Sequence, residues 1–210
     1  MSLPGKTVER LSQYRRTLIQ CMAAGKQHIF SHELASLHNN TAVQVRRDIM
    51  LLGYTGQLRK GYDVKELSST IGAILDPPSG YKICIVGMGN LGRAITGYFN
   101  GKRSKLIITA AFDIEPTKIG RVISGVKCYH ISQLNEMVKQ EDISIGIIAT
   151  TSESAADVAE KLTLAGIKGI LNYTSASLNV SPQVYLEEYD MITSIEKVAF
   201  FVKKQSQGQK

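Results

Sequence analysis

The chain has 210 residues, 43% of them hydrophobic and 20% charged, with a net charge of +7. That length leaves room for one large domain or two small ones, and the balance is that of a globular protein with ample core-forming residues. No apolar run nears the roughly 20 residues of a membrane helix, the opening "MSLPGKTVERLSQYRR" lacks the core of a signal peptide, and Cys21, Cys84 and Cys128 stand apart with no CxxC and no His pair, which argues against a zinc motif or disulfide framework and for a reducing cytoplasm.

The first 79 residues carry 10 Lys/Arg against 6 Asp/Glu, a denser positive charge than the remainder. Within them, "KTVERLSQYRRTLIQCMAAG" sets Val8, Leu11, Leu18, Ile19 and Met22 at helical spacing, with Gly25 as the stop. A short helix, "SHELASLH", follows with Ser31 as its expected N-cap. The turn "NNT" then leads into "TAVQVRRDIMLLG", closed by Gly53. Three helices with a tight turn before the third read as a helix-turn-helix. In that third helix Thr41, Gln44, Arg46 and Arg47 are expected on the solvent face, with Val43, Val45, Ile49 and Leu52 at core and boundary positions. Arginine suits both phosphate clamping and the guanine edge. The glycine-punctuated "YTGQLRKGYDV" reads as a hairpin wing with Arg59 and Lys60 near its tip. A further helix capped by Asp63 ends at the linker "DPPSG". The alternative is a basic helical subdomain with no nucleic-acid role.

From Tyr81 the pattern becomes an alternation of strands ("KICIVG", "LIITAAFD", "VKCYH", "ISIGIIAT", "GIKGILNY") and helices ("NLGRAITGYF", "ISQLNEMVKQ", "SAADVAEKLTLAG"). Near-continuous apolar strands fit a parallel sheet covered on both faces, hence a doubly wound α/β domain. Gly87, Gly89 and Gly92 form GxGxxG between the first strand and the first helix, with Met88, Asn90 and Leu91 in the same turn. The first glycine permits the turn, the second admits a pyrophosphate, and the third lets helix pack on strand. Asp113 ends the second strand, 26 positions after Gly87, and the polar insert "NGKRSK" accounts for the long spacing. An acid there binds the ribose diol and repels a 2′-phosphate, favouring NAD(H). Catalytic equipment is thin. His130 is the one candidate acid/base near the sheet's carboxyl edge, and no nucleophile, triad or metal-ligand spacing accompanies it.

Together "VGMGNLGRA", "AAFDIEPTKIG", "GIKGILNY" and the ending "YDMITSIEKVAFFV" resemble the Rex family of redox-sensing transcriptional repressors, in order and spacing over nearly the whole length. The resemblance implies an α/β protein: an N-terminal winged-helix domain (1–79), a Rossmann-like NAD(H)-binding domain (80–190), and a C-terminal helix exchanged in a homodimer (191–210). It implies that operator DNA, an inverted repeat, is bound when NADH is low and released by NADH. It adds Lys118, Thr150 and Asn172 to the cofactor site and sets Tyr98 near the nicotinamide. Arg16 and Asp190 become a pair linking the two domains. The apolar stripe Ile195, Val198, Ala199 and Val202 of the last helix would face a partner; alternatively it covers its own domain. Ser12 and the wing step "QLR" depart from the family pattern, as do "IIATTSES" and "NYTSASLNVSP". Two other classes stay open on the residues alone. One is a small NAD-dependent oxidoreductase with a helical appendage; the other is an interaction module that binds nucleotide only for stability.

Overall fold

A computed structural model describes residues 3–57, 59–99 and 105–207, and the chain divides into two compact units, Met1–Pro78 and Ser79–Lys210. Most of the polar insert "NGKRSK" lies outside the described residues, as do Leu58 of the hairpin and the last three residues of the tail.

The first unit contains α1 (Gly5–Ala23), β1 (His28–Ile29), α2 (Ser31–Leu37), α3 (Ala42–Met50), β2 (Tyr62–Asp63) and α4 (Val64–Leu75). Its core joins Leu11, Tyr14 and Leu18 of α1 to Leu34, Val45, Ile49, Leu67 and Ile71. The face of α1 differs from the one expected. Thr7 and Thr17 are buried there, whereas Val8, Ile19 and Met22 are exposed. Counting apolar residues misses this because the buried face of α1 is partly polar: Arg10 and Tyr14 bond Asp48, Thr17 pairs with His38, and Thr7 accepts from Arg10 within the helix. The N-cap of α2 is Phe30 rather than Ser31, and the Glu33 carboxylate accepts from the Phe30 N–H at 2.7 Å. At α4 the Asp63 carboxylate accepts from the Glu66 N–H at 2.8 Å, as the sequence leads one to expect. β2 pairs antiparallel with β1, a two-residue strand too short to show any periodicity.

The second unit runs β3 (Tyr81–Val86), α5 (Asn90–Phe99), β4 (Leu106–Asp113), β5 (Val122–Ile123), β6 (Val126–His130), a 3₁₀ turn (Ile131–Gln133), α6 (Leu134–Gln140), β7 (Ile143–Ile148), α7 (Ser152–Leu164), β8 (Gly169–Asn172), β9 (Tyr185–Glu188) and α8 (Met191–Gln207). The sheet order is β5-β6-β4-β3-β7-β8-β9, parallel throughout except where β5 meets β6. Apart from the β5 hairpin this is the 3-2-1-4-5-6 order of a dinucleotide-binding fold. Alternation along β3 feeds two cores. Cys84 and Val86 pack with α6 and α7, while Ile83 and Ile85 pack on the side of α5. α8 differs from every other helix: each residue from Met191 to Lys204 is exposed, Ile195 at 68% and Val198 at 64%. Its apolar stripe does not cover its own unit.

Candidate functional site

A cleft of about 510 Å³ opens beyond the carboxyl ends of β3, β4 and β7. It lies where the strand order reverses between β3 and β7, the switch point at which open α/β sheets take ligands. The glycine turn forms one wall, and each glycine has a distinct physical reason. Gly87 has φ +97°, and a Cβ there would lie 2.5 Å from the Ala149 carbonyl oxygen. A Cβ on Gly92 would come 1.9 Å from the Gly87 oxygen, so the helix could not close on the turn. Gly89 is the opposite case: a Cβ would meet nothing within 4 Å, although the residue lines the cleft. Protein does not fill the space above it. Asn90 and Leu91 line the same wall and begin α5, whose first-turn N–H groups have no acceptor within the helix and carry its positive dipole end. Those donors around an open glycine fit a pyrophosphate.

Asp113 closes the far side. It is 8% exposed, and its carboxylate accepts from four donors: the N–H groups of Met88 (2.8 Å), Ile114 (2.8 Å) and Glu115 (2.9 Å), and Lys118 Nζ (2.9 Å). Burial pushes its pKa up, but the Glu115 N–H, the Lys118 ammonium and the Met88 N–H outweigh burial and hold it below the ordinary 3.8. The bond to Met88 ties the acid directly to the glycine turn, a link that spacing alone does not reveal.

Gly87, Gly89, Asn90, Leu91, Asp113, Lys118 and Thr150 thus come together around one cleft. Four other residues of the expected set do not line it. Met88 is buried, packing with Ile83 and Ile85, and Gly92 is buried under the turn. Asn172 is fully buried, its amide donating to the Ala176 carbonyl and its oxygen accepting from Thr174. Tyr98 is 68% exposed on α5. Residues that the sequence reading missed also line the cleft: Ile114, Ile131, and from α7 Ser154, Asp157, Val158 and Lys161. The available signal was that a helix following β7 must start at the same edge of the sheet. His130 accepts from the Ser132 N–H at the start of the 3₁₀ turn and is absent from the cleft wall. Its role there is that of a cap. Among the described residues no cluster of His, Cys, Asp and Glu could hold a metal ion, and no helix is long and apolar enough to cross a membrane.

In the first unit, one buried acid organises the third helix. Asp48, 1% exposed, accepts two bonds from Arg10 (Nε 2.6 Å, Nη2 2.7 Å), one from the Tyr14 hydroxyl (3.1 Å) and one from Gln44 (2.9 Å). Burial raises the Asp48 pKa, while the bonds from Arg10 and Gln44 prevail and hold it below 3.8. Burial, then the Asp48 charge, pushes Tyr14 up to about 12. The network corrects the expected division of α3. Gln44 is turned inward to Asp48, whereas Thr41 is exposed as expected and caps the helix by accepting from the Gln44 N–H at 3.1 Å. Val43, placed at a boundary by sequence, is 49% exposed. Arg46 and Arg47 are exposed, Arg46 donating to the Ser31 hydroxyl at 3.1 Å. Arg59 and Lys60 are exposed on a turn closed by the bridge of Gln57 to Gly61.

The neighbouring arginines of α1 differ in kind. Arg15 makes a two-pronged ion pair with Asp76 at 2.7 and 2.6 Å, anchoring α1 to the end of α4. Arg16 is exposed. Asp190 caps α8, accepting from the Ile192 N–H at 2.8 Å and the Thr193 hydroxyl at 2.6 Å, which hold its pKa down.

Residues 79–176 match the family described as "CoA binding domain", and residues 2–49 the family described as "Putative DNA-binding protein N-terminus". Over 202 residues the chain is 37% identical to the redox-sensing transcriptional repressor Rex of Desulfitobacterium hafniense, spanning 96% of each. Identity is 33% over 208 residues to the Rex repressor of Bacillus licheniformis, spanning 99% of this chain and 97% of that one. RSP in complex with β-NAD⁺ and operator DNA has a TM-score of 0.90 at 30% identity, covering 100% of this chain and 96% of RSP. RSP in complex with β-NADH gives 0.86 at 29%, covering 100% and 98%. The winged-helix-like unit followed by a dinucleotide fold is an architecture this chain shares over its whole length with RSP, a Rex-family repressor, which sets it among DNA-binding regulators. Within that class, this chain belongs to the Rex family of redox-sensing transcriptional repressors.

Proposed function

We propose that this chain is a cytoplasmic repressor that binds an inverted-repeat operator as a homodimer and leaves it when NADH occupies the cleft. The observation that carries the reading is Gly89. An open glycine stands between an N-terminal helix turn and a buried ribose-side acid, in a chain whose other unit presents an arginine-bearing helix. Asn90 and Leu91 would hold the pyrophosphate, Asp113 with Lys118 the adenosine ribose, and Thr150 the nicotinamide end. The bound cofactor supplies a ring that is cationic when oxidised and neutral when reduced. Arg16 and Asp190 are the charged groups assigned to sense that difference, and Tyr98 is assigned to the nicotinamide side. Arg46, Arg47, Arg59 and Lys60 take the DNA, with Thr41 and Gln44 setting the geometry of the helix start. Two-fold symmetry in the protein demands matching symmetry in its operator. The exposed apolar face of α8 supports an exchanged helix in the dimer, since a contiguous apolar patch of this kind marks an interaction surface.

The test is a DNA-binding titration at fixed salt with NAD⁺, with NADH and with coenzyme A. The reading expects DNA affinity to fall with NADH and to survive NAD⁺. Equal affinity under NAD⁺ and NADH would overturn it, and a response to coenzyme A alone would reassign the cleft.

A further inference from the structure

Four residues of α3 occupy one exposed stripe: Val43, Arg46, Arg47 and Met50, at spacing i, i+3, i+4 and i+7. Val43 is 49% and Met50 68% exposed, so an apolar group flanks the two guanidinium groups at each end. The uncharged polar residues of the helix start are engaged within the unit, since Gln44 donates to Asp48 and Thr41 caps the helix. Neither Val43 nor Met50 belongs to the core of the unit as described, to which α3 contributes Val45 and Ile49 from its opposite side. The stripe spans about 10 Å of helix, seven steps of about 1.5 Å each, comparable to three base-pair steps.

We infer that Val43 and Met50 are specificity-determining residues that read the C5-methyl groups of thymines in the operator's major groove. The inference rests on the DNA-binding reading above and adds what that reading leaves open, the chemistry of base selection. The occupant is DNA rather than a protein because the apolar groups alternate with exposed arginines, which favour a polyanion. In the major groove thymine alone among the four bases presents a methyl group, and apolar side chains are its natural contacts. The two arginines then take guanine edges or phosphates beside the methyl groups.

The test begins by letting the full-length protein select its inverted repeat from a random duplex pool. Each thymine of the selected repeat is then replaced by deoxyuridine, one symmetric pair at a time, which removes the methyl and keeps the pairing. At fixed salt, one or two thymine positions per half-site should each lose about fourfold per methyl, the factor equivalent to the ~0.8 kcal/mol of one buried methylene-sized group. Val43→Ala should reduce the sensitivity at one thymine and Met50→Ala at another, each leaving the other thymine positions as they are in the parent. The wild-type measurement needs no variant to fold. A selected repeat bound equally well with and without its methyl groups would overturn this inference alone. A protein that enriches no repeat would overturn the DNA-binding reading and this one with it.

Discussion

Two buried aspartates organise the two units, and they do so differently. Asp48 of the first unit is enclosed by side chains from two helices, Arg10 and Tyr14 of α1 and Gln44 of α3. Asp113 of the second unit is held by three backbone N–H groups and a lysine, and it faces a cleft. Both carry depressed pKa values, so both favour the ionised form in the folded state. The first is a bolt that fixes α3 against α1. The second fixes a glycine turn but keeps one side toward ligand. Of the two, only Asp113, held by backbone donors of a turn with open space beside it, lines a cleft.

The largest effect should come from breaking the bolt. Arg10→Ala leaves Asp48 buried without its cation, which costs on the order of 3–5 kcal/mol. Urea unfolding should show this as a loss of stability, and DNA binding should fall while NADH binding persists. An unchanged midpoint would mean the network contributes little.

The glycine turn separates folding from binding. Gly92→Ala drives a Cβ into the Gly87 carbonyl and should cost about 1–3 kcal/mol of stability as an overpacked site. Gly89→Ala, with nothing within 4 Å, should fold like the parent and yet weaken NADH by tenfold or more, about 1.4 kcal/mol. Thermal melts paired with nicotinamide fluorescence distinguish the two. A Gly89→Ala protein with full affinity would remove the pyrophosphate from that spot.

Smaller still is the effect of Asp113→Asn, which keeps an acceptor for the turn but removes the charge. NADH affinity should drop and the preference over NADPH relax, because repulsion toward a 2′-phosphate is lost. Parallel titrations of the two reduced cofactors check it, and equal wild-type affinity for both would refute the role. The pH dependence has a definite sign. Each acid has a folded pKa below its ordinary 3.8, so its stabilisation is present above that value and is lost as pH falls through the folded pKa. Asp113→Asn removes that group's share of the acid sensitivity, so its stability should fall less steeply than the parent's as pH drops below about 4, which urea unfolding at pH 7 and pH 3 checks.

The subtlest change concerns coupling. Arg16→Ala and Asp190→Asn should each reduce the effect of NADH on DNA affinity, typically about 5- to 150-fold in coupled systems, toward none. Asparagine is chosen at 190 because it can still cap α8, as Asp190 does. Full NADH responsiveness in both variants would show that the signal takes another route.

Most of the fold was legible because its signals are periodic or punctuated. The apolar strands, the glycine turn and the Asp63 cap announce themselves over several residues. What escaped was short or polar. β1 and β5 are two residues each, and β9 reads "YLEE", an edge strand with mostly exposed side chains. The polar face of α1 escaped because Tyr14 and Thr17 are buried against Asp48 and His38, partners 34 and 21 positions away that no local pattern displays. In the cleft, one end was legible from Gly87 to Asp113. The wall from α7 was not, because Asp157 and Lys161 read as an ordinary surface pair at i, i+4. The inward turn of Gln44 was hidden for the same reason as Asp48: it depends on Arg10, 38 positions from Asp48 in the chain.

The central claim is that the cleft of the second unit controls DNA binding by the first, and reciprocity tests it most directly. NADH affinity should be measured by nicotinamide fluorescence with and without saturating selected operator, at the salt used for DNA titrations with and without saturating NADH. Linkage requires one factor in both directions. The account predicts that operator weakens NADH binding by the same factor by which NADH weakens operator binding. NADH affinity unchanged by saturating operator would contradict it.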